Sequence, residues 1–502
     1  MRIQLLTALM SAACYAAANG ASTALVEAAR NQDKEALRTL LKQKIDVNAA
    51  EPDGTTALHW AAHWNDSESV DLLLKAGAIP KLANRYGATP LSEAAAYASG
   101  AVVERLLKAG ADPNTISTTQ GETVLMTAAR AGNEDAVKTL LDHGAYVDAR
   151  ETYRGQTAAM WAAAEGHAGV IRLLAAHGAD LNVRSLDHDT RPPKIEAGTP
   201  LAPIFRGGLS ALHYASRQGE IEAVKALLDA HADINQQDSD GNTALVLAIL
   251  NAHYDLAELL IDRGADVNLG NQDGRAPLFT AIDMHDADWS PRPARRETSA
   301  ATSMDVIKSL LAHKANVNAQ LTAASPIVKV AQDTGDRTLS AGATPFLRAA
   351  RSADVEVMKL LLDHGADPKL ANKDGYNALL AAAGVSWNDH IKGSEAQALE
   401  AVKLCVDKGL DVNAATDKGD TALHGAALRG ADSIVKFLVE KGGRLDVQNK
   451  QKLTPLDVAM GKVSGTGGAP GEPHESTVKL IQSLLPAAAN HEGPAAETAE
   501  HK

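Results

Sequence analysis

The stretch Asp240-Gly241-Asn242-Thr243-Ala244-Leu245, closed downstream by Gly264-Ala265-Asp266-Val267-Asn268, decides the fold. Asp-Gly marks a tight turn, because glycine accepts positive φ without steric cost. Thr243 follows as a helix cap, its hydroxyl answering N–H groups that the first turn leaves free. In sister segments a proline comes next, as in Thr89-Pro90, Thr344-Pro345 and Thr454-Pro455. Proline at the first helical position loses no hydrogen bond. A second helix ends in a leucine pair followed by Gly-Ala, as at Leu140-Leu141 and Gly144-Ala145, with the glycine stopping the helix. Helices below about 12 residues are unstable alone. Such a unit must bury its apolar stripe on copies of itself.

The copies are present. Anchors aligned on the capping residue fall at Thr23, Thr56, Thr89, Thr123, Thr157, Ser210, Thr243, Ala276, Thr344, Asn377, Thr421 and Thr454. Most gaps are 33 or 34 residues, and the exceptions of 53, 68 and 44 are the period plus insertions. The reading is an all-α solenoid of about twelve units over residues 22–485. Insertions fall near 184–207, 285–301, 319–341, 386–396 and 461–475, and a disordered tail is expected over 486–502. The unit from Ala276 to Asn318 departs furthest from the pattern and reads as a hinge or a break in curvature.

Thr56-Ala57-Leu58-His59, Ser210-Ala211-Leu212-His213 and Thr421-Ala422-Leu423-His424 resemble the Thr-Pro-Leu-His signature of ankyrin repeats, and the chain resembles secreted bacterial members of that family. The resemblance implies stacked helix-turn-helix units with β-hairpin fingers at one edge. It also implies a concave face that binds proteins. His59, His213 and His424 would then make structural hydrogen bonds within and between units. Trp60, Trp161 and Tyr214, four residues after their anchors, would fill the core.

Composition narrows the function. Aromatics make up 3% of a chain rich in alanine and leucine, which suits thin, close-packed helices. A net charge of −13 argues against nucleic acid and gives no polybasic segment for acidic lipid. Residues 1–18 read as a secretory signal peptide: Arg2, then an apolar run, then small residues ending at Ala18. The expected location is therefore secreted or periplasmic. Cys14 offers a lipid anchor as the second reading, although Ser11 stands where a lipobox has leucine. No segment approaches the ~20 apolar residues of a membrane span.

Motifs of catalysis are missing: no His-Glu-x-x-His, phosphate-binding loop, Gly-x-Ser-x-Gly or Cys-x-x-Cys occurs. Asp187-His188-Asp189 and His285-Asp286-Ala287-Asp288 carry ligand-type side chains inside insertions. A metal site needs three or four converging groups, so both read as polar loops and no metal or cofactor is assigned. Cys405 reads as a small buried apolar residue.

In ankyrin repeats the groove is lined by the end of the first helix and by the finger tip. Carried onto this sequence, the helix ends give His63, Trp64, Tyr97, Arg130, Arg217 and Arg351, and the tips give Arg85, Tyr86, Asp240 and Lys373. Trp, Tyr and Arg are enriched among interface anchors. The leading reading is a monomeric, non-catalytic scaffold for an unidentified protein partner. The alternatives are an enzyme or metal-dependent protein built from the insertions, and a structural spacer.

Overall fold

Side-chain capping starts many of the first helices. Thr123, Thr157, Thr243 and Thr344 hold extended backbone, and their hydroxyls accept the N–H three residues on at 3.2–3.4 Å. Pro277, Pro345 and Pro455 occupy first-turn positions where no donor is needed. The second helices stop in a shared way. After Leu140-Leu141, Gly144 takes φ +87°, its N–H reaches the Leu141 carbonyl, and the Ala145 N–H reaches back to Leu140. The glycine stands one residue beyond the C-cap His143, and its left-handed backbone closes two orphan carbonyls.

The computed structural model describes residues 23–43, 45–97, 99–118, 120–187, 207–286, 300–323, 339–385, 393–462 and 472–485. Residues 1–18 with Cys14, the bulk of each insertion, the basic runs Arg191–Lys194 and Arg292–Arg296, and the tail from 486 lie outside them. The chain divides into two compact units, the boundary falling between Ala265 and Asp266.

The first unit carries α1 (residues 23–30), α2 (Lys34–Leu41), α3 (Ala57–His63), α4 (Ser67–Lys75), α5 (Pro90–Tyr97), α6 (Gly100–Lys108) and α7 (Val124–Arg130). It continues with α8 (Glu134–Asp142), α9 (Ala158–Ala164), α10 (Ala168–Ala176), α11 (Ala211–Gln218), α12 (Ile221–Asp229), α13 (Ala244–Leu250) and α14 (Tyr254–Asp262). The second carries α15 (Pro277–His285), α16 (Ser303–Ala312), α17 (Pro345–Arg351), α18 (Val355–Asp363) and α19 (Ala378–Ala383). It ends with α20 (Glu395–Asp407), α21 (Ala422–Arg429), α22 (Asp432–Glu440), α23 (Pro455–Ala459) and α24 (Glu475–Leu484).

Within each unit, first helices pack on their own partners and on the first helix of the next repeat, as α3 does on α4 and α5, and α15 on α16 and α17. Alanine makes this possible. Ala61, Ala62, Ala94, Ala95, Ala128 and Ala129 are buried at the helix crossings, while Leu58, Leu73, Leu91, Leu106, Leu125 and Leu140 fill the space between layers. Each such leucine contributes roughly 2–3 kcal/mol by leaving water.

The edge differs from the expected β-hairpin fingers. Among the described residues there are no strands, only isolated bridges such as Ala50–Thr56, Ile116–Thr123 and Ala415–Thr421. Side chains take the bonds a ladder would use. Asn84 Oδ1 accepts the Tyr86 and Ala88 N–H groups, and Asp238 Oδ1 accepts those of Asp240 and Asn242. Successive tips are tied by single backbone bonds, for example Arg85 N–H to the Asp53 carbonyl and Lys373 N–H to Ala341. These Asx turns satisfy the backbone locally and leave little for sheet pairing.

An asparagine ladder runs beneath the tips. Asn48 donates to the Gly77 carbonyl and accepts the Ile79 N–H; Asn114 does the same with Gly144 and Tyr146, and Asn413 with Gly442 and Arg444. Asn318 repeats the pattern with Gly365 and Asp367 across an insertion. The expected insertion 386–396 is shorter than its sequence boundary, because Ser394 caps α20 and residues 395–396 are already helical.

Candidate functional site

The face at the ends of the first helices carries an aromatic cluster in the first unit. Along α3 and its C-cap the spacing of Trp60, His63 and Trp64 brings three rings onto one side. The Trp60 and Trp64 rings stack 6.4 Å apart, and His63 stands edge-on to Trp64 at 4.7 Å. His63 also lies 4.7 Å from Tyr97, at the end of α5, so one cluster spans two repeats. The Arg30 guanidinium sits 5.7 Å over Trp60 and is paired with Glu51. His63 Nδ1 lies 3.0 Å from Glu93. Further along, Arg130 stacks on Trp161 at 4.7 Å and pairs with Glu122 at 3.2 Å. Tyr86 and Tyr97 are 72% and 66% exposed, large values for aromatic side chains with no core to fill.

Several expectations change. Trp60 and Trp161 are half-buried and belong to this face; of the three core assignments only Tyr214 is fully packed away. The physical reason is crowding: alanine-lined crossings leave little room for an indole, and each ring instead carries an arginine over its face, Arg30 on Trp60 and Arg130 on Trp161. Trp64 is anchored as well as exposed, since its indole N–H donates to the Arg30 carbonyl at 3.0 Å. Arg130 joins Trp161 rather than the Trp64–Tyr97 cluster. Arg85 and Tyr86 project from their tip, and Arg217 lies over Tyr214 at 5.2 Å. Asp240 is half-buried in its own turn. In the second unit, Arg351 is half-buried at the end of α17 and Lys373 is exposed on its tip. Tyr153 and Arg154, paired at 5.6 Å, occupy the same tip positions as Arg85 and Tyr86. The positional rule that picked out Arg85 and Tyr86 covers them too.

A second constellation lies in the second unit, around the end of α15. Arg275 is fully buried and bonds Asp283 at 2.5 Å. Arg348 on α17 bonds Asp283 at 2.7 Å and Asp286 at 3.2 Å. His285 Nε2 lies 3.3 Å from Asp354, the N-cap of α18, and its Nδ1 lies 2.8 Å from Ser303 Oγ. Burial works against ionising Asp283, but the two guanidiniums overcome it and hold its carboxyl well below the usual range. Burial pushes Asp286 up to about 6, with Arg348 only partly opposing. His285 and Asp286 are thus the end and C-cap of a helix, not part of a polar loop. Sequence reading could not supply Asp354, which lies in the following repeat beyond an insertion.

Family comparison settles the scaffold. The description "Ankyrin repeats (3 copies)" matches residues 3–84, 25–117, 91–185, 201–289 and 390–466, and "Ankyrin repeat" matches 341–373. The chain belongs to the ankyrin-repeat family. It is also similar to human protein phosphatase 1 regulatory subunit 27, 44% identical over 57 residues. That match covers 11% of this chain and 37% of the relative. Ankyrin repeats of this kind support protein interaction.

The ankyrin histidines are structural. The Ser210 N–H donates to His213 Nδ1 at 3.1 Å, and Nε2–H donates to the Asn242 carbonyl of the next repeat at 3.1 Å. His59 links Thr56 to Ala88, and His424 links Thr421 to Leu453, in the same geometry. Burial pushes His213 down to about 4 and lowers His59 and His424. Each imidazole is held neutral, with both nitrogens used. Cys405 is fully buried on α20, and burial pushes its thiol up to about 12, far from a reactive thiolate.

Proposed function

We propose that this ankyrin-repeat protein is an adaptor that captures a protein partner on the aromatic face of its first unit. The carrying observation is the ring cluster of Trp60, His63, Trp64 and Tyr97, with Arg130 on Trp161 and the exposed Tyr86 in neighbouring repeats. A lone solenoid gains little from exposing Tyr86 and Tyr97, whereas bound complexes use such side chains as anchors. The regulatory-subunit name of the human relative supports a role without chemistry of its own.

Tyr97 is the residue to change first, because its ring is exposed and Trp64 doubles as a structural contact. Tyr97→Ala is expected to leave the unfolding midpoint within about 0.5 kcal/mol of the parent. With Tyr86→Ala added, affinity for a partner isolated from the native host should fall at least tenfold, read by titration with the purified partner. Unchanged affinity would remove this face from consideration.

We also propose that the chain acts outside the cytoplasm, its leader ending at Ala18. N-terminal sequencing of protein made in its own host should begin at Asn19. Intact Met1 in soluble cytoplasmic material would overturn this, and the family match beginning at residue 3 is the observation on that side.

A further inference from the structure

We propose that His285, Asp286 and Asp354 form a binding site for one first-row divalent cation, with Zn²⁺ as the representative ion. One ligand atom from each side chain lies within 4.8 Å of the others. Ligands about 2.0–2.2 Å from a shared ion stand roughly 3–3.5 Å apart in a tetrahedral shell and up to about 4.4 Å when opposed. Closure by roughly 1–2 Å at the widest pair brings the trio into range, a shift within the reach of side-chain rotation.

The surroundings already orient each ligand. Ser303 Oγ holds His285 Nδ1, which leaves Nε2 turned toward Asp354. Asp354 Oδ1 accepts the Val357 N–H at 3.1 Å as the cap of α18, which leaves Oδ2 facing the imidazole. Arg348 steadies Asp286 from behind. Fixing of ligands by outer hydrogen bonds is what metal sites use to raise affinity. Exposure is graded: the side chains of Asp286, Asp354 and His285 are 5%, 15% and 29% exposed. The site is thus closed around Asp286, with His285 its most exposed ligand.

Charge supplies an independent argument. Two guanidiniums, Arg275 and Arg348, face three carboxylates, Asp283, Asp286 and Asp354. Asp283 engages both arginines, and Asp286 is left sharing Arg348 with a carboxylate oxygen within 4.8 Å of one on Asp354. Two carboxylates this close repel unless one takes a proton or positive charge lies between them. A divalent cation provides it. The imidazole ligand selects Zn²⁺, Co²⁺ or Ni²⁺ over Mg²⁺ and Ca²⁺, which prefer all-oxygen shells.

Calorimetric titration of the chelator-stripped full chain with Zn²⁺ tests the site. One saturable site per chain is expected, with Mg²⁺ failing to compete. His285→Ala and Asp354→Asn should each weaken Zn²⁺ at least tenfold; the asparagine keeps the helix cap and withdraws only the charge. His177→Ala, which removes a surface histidine beside Asp142, should leave the affinity unchanged. Co²⁺ added to the unaltered chain should give visible d–d absorption that Zn²⁺ bleaches, a readout that needs no variant. No saturable Zn²⁺ uptake, no Co²⁺ absorption, or equal affinity in both His285→Ala and Asp354→Asn would overturn the proposal.

Discussion

Arg348→Ala is expected to lower the stability of the chain by about 3–5 kcal/mol, measured by urea unfolding with chelator present. The Arg348 side chain is 7% exposed and ties α17 to α15 through Asp283 and Asp286. It also donates to Ser352 one turn on at 2.5 Å. Its removal leaves Asp286 buried without a guanidinium, and an uncompensated buried charge costs far more than the lost attraction. Lysine should not rescue, because one ammonium cannot reproduce the fork that reaches both carboxylates. Arg348→Met combined with Asp286→Asn should recover part of the loss by removing both charges. A deficit below about 1 kcal/mol for Arg348→Ala would show that the network is only a surface-like set of ion pairs.

Acid should destabilise the protein well above the pH at which ordinary carboxylates titrate. His213 has its folded value pushed down to about 4 from an ordinary 6.5. Its contribution is therefore complete above pH 6.5 and shrinks as pH falls from there toward 4. At about 1.4 kcal/mol per pH unit, roughly 2 kcal/mol is lost by pH 5 and about 3 kcal/mol by pH 4. His59 and His424 act in the same direction. Asp286 opposes them, since a carboxyl raised to about 6 binds its proton better in the folded state. The structural cause is plain: a second proton on His213 would land on Nδ1, where the Ser210 N–H already points. Urea unfolding at pH 7.5 and 5 should show the loss, and His213→Gln should flatten the dependence. Equal pH slopes for parent and variant would refute the assignment.

The scaffold was legible because it is written in short-range rules. Thr243, Pro345 and Gly144 each encode a local conformation, and repetition turns local rules into a fold. The histidine links were legible for the same reason, since each recurs at a fixed place beside its cap. Trp60 and Trp161 were misplaced because the family position fixes a direction, while the depth of a side chain depends on the size of its neighbours. The fingers lost their strands to Asn84 and Asp238, whose side chains compete for backbone donors. His285 and Asp286 read as loop because the ligand that gives them meaning, Asp354, arrives only when the next repeat stacks.

The asparagine ladder has a bearing on how such a chain can change over generations. Asn48 and Asn114 reach the next rung after 29 to 32 residues, whereas Asn268 and Asn318 do so after 46 to 49. The rung looks the same in both cases. Contour length between rungs is therefore free to vary, while spatial pitch is not. New sequence can be spliced in between rungs without retuning the layers on either side, and be lost again without trace. The margins of this molecule behave as docking bays for novelty, and the rungs are the fixtures that make trial insertions tolerable.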